Sequence, residues 1–154
     1  MIIRSFMEAD REALQQIYLD SRLDTFTWLE PASMRLSDFD RHTLSEAIWV
    51  AEREGTVVGF VSVDEGDNFI HNLFVMPQWV GHGIGSQLLA IALENIAGPA
   101  RLKCLVANAR AIAFYHANGW QKMGQGISED GKYDILKKWA VPDPKRQGFQ
   151  HGKD

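Results

Sequence analysis

Apolar residues fall along this chain in two rhythms: short runs suited to strands, and recurrences every three or four residues suited to one face of a helix. Ile2 to Phe6 reads as a short strand. Glu8, Ala9 and Asp10 open a helix carrying Leu14, Ile17 and Tyr18 at helical spacing, with acids near its positive end. Ser21 to Pro31 loses the rhythm and reads as irregular and aromatic, with Phe26 and Trp28 among Asp24, Thr25 and Thr27. A second helix is expected within Ser37 to Ser45, capped by Ser37 or Asp38. Ile48 to Glu52 and Thr56 to Val63 flank Arg53-Glu54-Gly55 and predict a hairpin. A polar turn, Asp64 to Asn68, then leads into a buried strand, Phe69 to Val75, interrupted by His71 and Asn72.

Glycine and proline punctuate the second half. Gly81, Gly83 and Gly85 separate the Phe69 strand from a helix of about Gly83 to Ala97, whose apolar positions include Leu88, Leu89, Ile91, Ala92 and Leu93. Gly98-Pro99 breaks the chain, Arg101 to Ala107 alternates as a strand, and a helix from about Ala109 to Asn118 ends at Gly119, a natural C-cap. Trp120 to Met123 and Lys132 to Trp139 predict a closing hairpin. From Pro142 to Asp154 the composition turns polar, with only Phe149 as a sizeable apolar residue, and reads as an extended or disordered tail. The expectation is one α/β domain over residues 1–140 and a tail over 141–154, with no internal repeat.

Composition narrows the function classes. The 154 residues suffice for one domain with a real core, and 45% hydrophobic with 23% charged is ordinary for a soluble globular protein. A net charge of -4 argues against a general nucleic-acid binder, which needs a basic face, and slightly favours a cationic amine. The single cysteine, Cys104, excludes an internal disulfide and fits a reducing cytoplasm. No apolar run reaches membrane-spanning length, and no start resembles a secretion signal. The histidines His42, His82, His116 and His151 show no ligand spacing, so no metal is implied.

Candidate chemistry begins at the glycine turn. Glycine lets backbone approach a ligand closely, and the first amides of a helix point outward as unpaired donors, so a strand–glycine–helix junction suits phosphate. Taken alone, Gly-x-Gly-x-Gly also describes a simple tight turn. Some 20 residues later stands Asn108-Ala109-Arg110-Ala111-Ile112-Ala113-Phe114-Tyr115-His116-Ala117-Asn118-Gly119-Trp120. The two clusters together, the second reading Asn-x-x-Ala-x-x-Phe-Tyr-x-x-x-Gly-aromatic, resemble the GNAT superfamily of acyl-CoA-dependent N-acyltransferases. The likeness spans roughly Ile2 to Trp139 and is most specific between Leu73 and Trp120. One departure stands out: Val80 occupies the place before the first glycine where the family usually has Gln or Arg.

The resemblance implies a mixed, splayed sheet flanked by helices, with acetyl-CoA as co-substrate. Phe74 and Val75 would give main-chain contacts to the pantetheine arm, lying like an added strand between the strands of Phe69–Val75 and Arg101–Ala107. Val80, Gly81, His82, Gly83, Ile84, Gly85 and Ser86 would surround the pyrophosphate, with Ala111 and Phe114 beside the arm. Asn108 matches the family's pantetheine-binding Asn, though on its own it reads as a helix N-cap. Tyr115 matches the family's general acid, which protonates the departing thiolate, though a tyrosine beside Phe114 is more often core. His71 falls where several members carry a base on this strand. It is read either as that base or as a hydrogen-bonded structural histidine, and simple alternation puts it on the face of Leu73 and Val75. Cys104, mid-strand with no histidine beside it, reads as packing.

The activity implied is acetyl transfer from acetyl-CoA to a small-molecule or peptide amine by direct attack, with no nucleic-acid or membrane partner and with a homodimer left open. An acyl-CoA-binding module without turnover is the alternative, kept open by Val80. A dinucleotide-binding domain fits poorly, because no acidic ribose partner follows the glycines. Phe26 and Trp28, with Phe39, Asp24 and Glu30, sit in the region that shapes the acceptor pocket in the family. They suit an amine with an apolar body, or equally a core patch.

Overall fold

The computed structural model describes residues 1–139; the expected boundary at 140 and the tail lie outside the described residues. In chain order the elements are β1 (Ile2–Ser5), α1 (Arg11–Thr25), α2 (Asp38–His42), β2 (Ala47–Arg53), β3 (Thr56–Asp64), β4 (Phe69–Val75), α3 (Ile84–Glu94), β5 (Pro99–Leu105), α4 (Ala109–Ala117), β6 (Gln121–Ser128) and β7 (Gly131–Trp139). The strands form one seven-stranded sheet in the order β1-β2-β3-β4-β5-β7-β6. Every neighbouring pair is antiparallel except β4 and β5, which run parallel with α3 as their crossover.

Two apolar clusters clasp the sheet. Ile84, Leu88, Leu89 and Ala92 of α3 pack on Val61, Val63, Ile70 and Leu102 on one face. On the other, Leu14, Ile17 and Tyr18 of α1 meet Phe39, Val50 and Phe60. Strand residues therefore alternate between the clusters, Phe60 to one and Val61 to the other, as the two-residue period of a strand requires.

α1 runs on to Thr25, past the point where the apolar rhythm stops at Ser21. The reason is a buried cation. The Arg22 guanidinium donates to Asp38 at 3.1 Å and lies over the Tyr18 ring at 3.9 Å, so a charged residue occupies the inward face where hydrophobic periodicity looks for an apolar one. Burial alone would raise the Asp38 pKa. The Arg35 backbone N–H and the guanidinium groups of Arg41 and Arg22 outweigh it and bring the carboxyl down to about 2 from an ordinary 3.8. A depressed folded value contributes stability that is fully present above about pH 4 and lost as pH falls through about 2. In acid titrations followed by circular dichroism, Asp38→Asn should therefore flatten the stability loss between pH 4 and 2, a contribution on the order of 2 kcal/mol. Parallel curves for parent and variant would contradict this.

Candidate active site

β4 and β5 pair only at Phe69–Arg101 and Ile70–Leu102, and from there they diverge. The far end of β4 thus keeps an unpaired edge toward β5, and the gap opens into a cleft of about 470 Å³. One wall is the turn Trp79–Ser86, another is α4 with Asn108, and a third is the C-terminal end of α1. A volume of this size suits a small ligand.

The glycine turn is built as a cradle. Gly83 is left-handed, φ +77°, and serves as the N-cap of α3, a conformation that L side chains rarely adopt. The first i to i−4 bond of the helix runs from Gln87 N to Gly83 O at 3.2 Å, so the amides of Ile84, Gly85 and Ser86 precede the ladder and are free to donate to an anion. A Cβ added at Gly85 would lie 3.2 Å from Phe114 Cζ, so the absence of a side chain there is what lets α3 and α4 approach across the cleft.

On α4, Asn108 caps the helix and also faces the cleft. Its Oδ1 accepts from the Ala111 amide at 3.2 Å as an N-cap, and the residue lines the cleft. Tyr115 lines the cleft too, its ring edge-on to Phe114 at 5.3 Å and Trp120 at 6.0 Å. Burial, with a smaller effect from the neighbouring Cys104, pushes the phenol's pKa up, so it keeps its proton at any ordinary pH. Burial likewise pushes the Cys104 thiol up to about 12.

Of the residues expected to hold the cofactor, Phe74, Val75, Val80, Gly81, Gly83, Ile84, Gly85, Ser86, Asn108, Ala111 and Phe114 line this one cleft. His82 does not. Its Nδ1 lies 3.1 Å from the Trp79 carbonyl and its ring sits edge-on to Trp79, which itself lines the cleft, so His82 props the wall. Phe26 and Trp28 also stand outside: Phe26 lies edge-on between Trp28 and the cleft residue Phe74. Phe39 is fully buried core.

His71 departs from simple alternation. Ser62 opposes Asn72 and Val63 opposes Ile70, so His71 is the extra residue of a β-bulge. Ile70 and Leu73, three apart, consequently both pack toward α3, while His71 turns to the Phe69 ring at 4.8 Å and to Glu46. It leaves the face of Leu73 and Val75 and lines a second hollow with Asp67, Phe69, Arg101 and Lys103. Its Nδ1 meets a carboxylate whose side chain is only 7% exposed.

Periodicity and motif missed three polar lining residues, Ser21, Thr25 and Arg110, while a fourth, Asp24, is expected only as part of the acceptor region. Ser21, Asp24 and Thr25 enter because α1 is longer than its apolar face. Arg110 enters because it lies in the first turn of α4, a position legible from its place two residues after Asn108. Arg110 is a cation in the cleft, but Val80 still offers no polar contact at the turn, and it is 42% exposed. Val80→Arg should tighten coenzyme A binding by about 1 kcal/mol, the scale of a partly exposed charged hydrogen bond. Isothermal titration of both proteins checks this, and unchanged or weaker binding in the variant would count against the cradle.

Among the described residues no cluster of His, Cys, Asp and Glu could hold a metal ion, and no helix is long and apolar enough to cross a membrane.

Comparison with known proteins agrees with this geometry. Residues 45–122 match the family model described as an acetyltransferase (GNAT) domain. The chain is 35% identical over 81 residues to the peptidyl-lysine N-acetyltransferase YiaC of Escherichia coli, a stretch covering 53% of this chain and 54% of that protein, about half of each. Apo YjaB of Escherichia coli has a similar solved structure, with TM-score 0.72 and 26% identity over 93% of this chain and all of that one. So has yncA of Salmonella typhimurium, solved with acetyl-CoA, with TM-score 0.67 and 20% identity over 93% and 95% of the two chains.

Proposed function

This chain belongs to the GNAT acetyltransferase family, and from that premise we propose that it transfers the acetyl group of acetyl-CoA to an amine by direct attack. The observation that carries the reading is a single cleft containing both the free amides at the start of α3 and the Tyr115 phenol. Bound there, acetyl-CoA supplies an acyl group activated as a thioester.

The chain's own residues would then divide the work. The amides of Ile84 to Ser86 bind the pyrophosphate with the dipole of α3 behind them. The unpaired edge of β4, at Phe74 and Val75, takes the pantetheine amides as a strand would, with Asn108 at the same arm. Tyr115, held protonated by burial, gives its proton to the departing sulfur. Cys104 stays a thiol and is a poor nucleophile, which favours direct attack over an acyl-cysteine route.

Removing the amine proton falls to His71. With Nδ1 turned to the Glu46 carboxylate, Nε2 is the nitrogen left to accept, and the bulge turns His71 into the second hollow. YiaC is named for peptidyl lysine, and a lysine amine with pKa about 10.4 needs a base more than an α-amine near 8. His71→Ala should therefore lower the rate on the order of 10²-fold for lysine-like amines, and less for α-amines. Equal losses for both would return His71 to a structural role.

A reducing cytoplasm fits the lone cysteine. Initial rates with both substrates varied test the route: direct attack gives intersecting double-reciprocal lines, whereas parallel lines would show a covalent acyl-enzyme.

A further inference from the structure

Cations gather on one part of the sheet. On the side of α1 and α2, β5 and β7 present Arg101, Lys103, Tyr133 and Lys137, and none of these three cations has a carboxylate partner among the described residues. Arg101 and Lys137 stand directly opposite each other across the β5–β7 ladder. Like charges in that position repel. Each cation instead lies against an aromatic face: Arg101 5.6 Å from the Phe69 ring centroid, Lys103 4.9 Å from Tyr133, Lys137 5.4 Å from Trp139. These contacts hold the side chains over the sheet while leaving their donors unspent. Such a basic, aromatic patch contrasts with a net charge of -4 for the whole protein.

Its position gives it a role. Arg101 and Lys103 line the second hollow, about 420 Å³, together with Phe69, His71 and the exposed Asp67 at its rim. The hollow sits at the closed end of the β4–β5 splay, and Phe74, three residues past His71 and on the α1 side of the sheet, lines the cofactor cleft. Three residues of strand span roughly 10 Å, the length of a small extended amine. An acceptor whose nitrogen passes His71 toward the cleft can therefore rest its other end between Arg101 and Lys103.

Building on the acyl-transfer reading, we infer that the acceptor is a small amine bearing an anionic group, a carboxylate or phosphate a few carbons from its nitrogen, and that Arg101 and Lys103 hold that anion while His71 faces the amine. Charge complementarity commits the hollow to this ligand: the two cations exceed the single exposed carboxylate, and Glu46 is already engaged by His71.

A matched acceptor panel tests the inference. An ω-amino carboxylate, an aminoalkyl phosphate of equal length and the corresponding amino carboxamide are compared by release of free coenzyme A. The parent should favour at least one anionic member over the carboxamide by roughly 10–100-fold in kcat/KM, mostly through KM, as expected for charge-assisted hydrogen bonds. Preference for the carboxylate or for the phosphate says which anion the hollow takes. In the double variant Arg101→Gln, Lys103→Gln that ratio should collapse toward one, with coenzyme A affinity retained. A parent that acetylates the carboxamide as well as the acids overturns this inference and leaves acyl transfer standing. A parent that releases no coenzyme A with any amine overturns acyl transfer itself, and the inference with it.

Discussion

Replacing Tyr115 by phenylalanine should lower kcat about 10²–10⁴-fold while leaving acetyl-CoA affinity within a few-fold. The substitution removes one oxygen and keeps the ring, so the edge-on packing against Phe114 and Trp120 survives. What disappears is the proton donor at the α4 wall of the cleft. Burial raises the phenol's pKa, which makes it a weaker acid than a free tyrosine but keeps it fully protonated. Any alkaline loss of activity due to Tyr115 should accordingly lie above the ordinary tyrosine range near pH 10. A Phe variant as active as the parent would make Tyr115 a core residue and nothing more.

Substitutions in the glycine turn should have the largest effect on binding. At Gly83 a valine must adopt φ +77°, which costs on the order of 1–2 kcal/mol and disturbs the amides that begin α3. At Gly85 a bulky side chain meets Phe114 Cζ at 3.2 Å and pushes into the cleft. Either change should reduce coenzyme A affinity by more than about 100-fold in a domain that still folds, since one or two buried anion contacts are worth that much. Gly55→Val is the control. It imposes a similar strain, φ +80°, in the β2–β3 turn, where nothing lines the cleft, so its affinity should match the parent's. Equal losses at all three positions would mean that strain alone is being measured.

The parts of the site that could be read from the chain are those fixed by local rules. The left-handed N-cap of α3, the capping Asn108 and the left-handed Gly119 just past the Asn118 C-cap of α4 each depend on a few neighbouring residues, and their sequence signals point the right way. What escaped depends on register. Alternation places His71 with Leu73 and Val75, but the bulge opposite Ser62 and Val63 turns it to the other side, and no local residue announces which position will be extra. β6 extends to Ser128, well beyond Met123, because Gly124 and Gly126, which look like turn residues, make room for Ile135 and Tyr133 lying across them; a Cβ at Gly126 would be 2.4 Å from the Tyr133 hydroxyl. The Arg101–Lys137 pairing forms only because β7 inserts between β5 and β6, a connection that periodicity does not encode. Arg22 shows the same limit inside a helix, where a buried charge extended α1 beyond its apolar stripe.

The most direct test of acetyl transfer is the rate of free coenzyme A release from acetyl-CoA across a panel of primary amines, with the product identified by mass spectrometry. Acetyl transfer requires saturable, amine-dependent release with one N-acetyl product formed per coenzyme A freed, and its loss in the Tyr115→Phe protein. Tight binding of acetyl-CoA with no amine able to raise release above the background of hydrolysis would contradict it, and would leave a binding module in place of an enzyme.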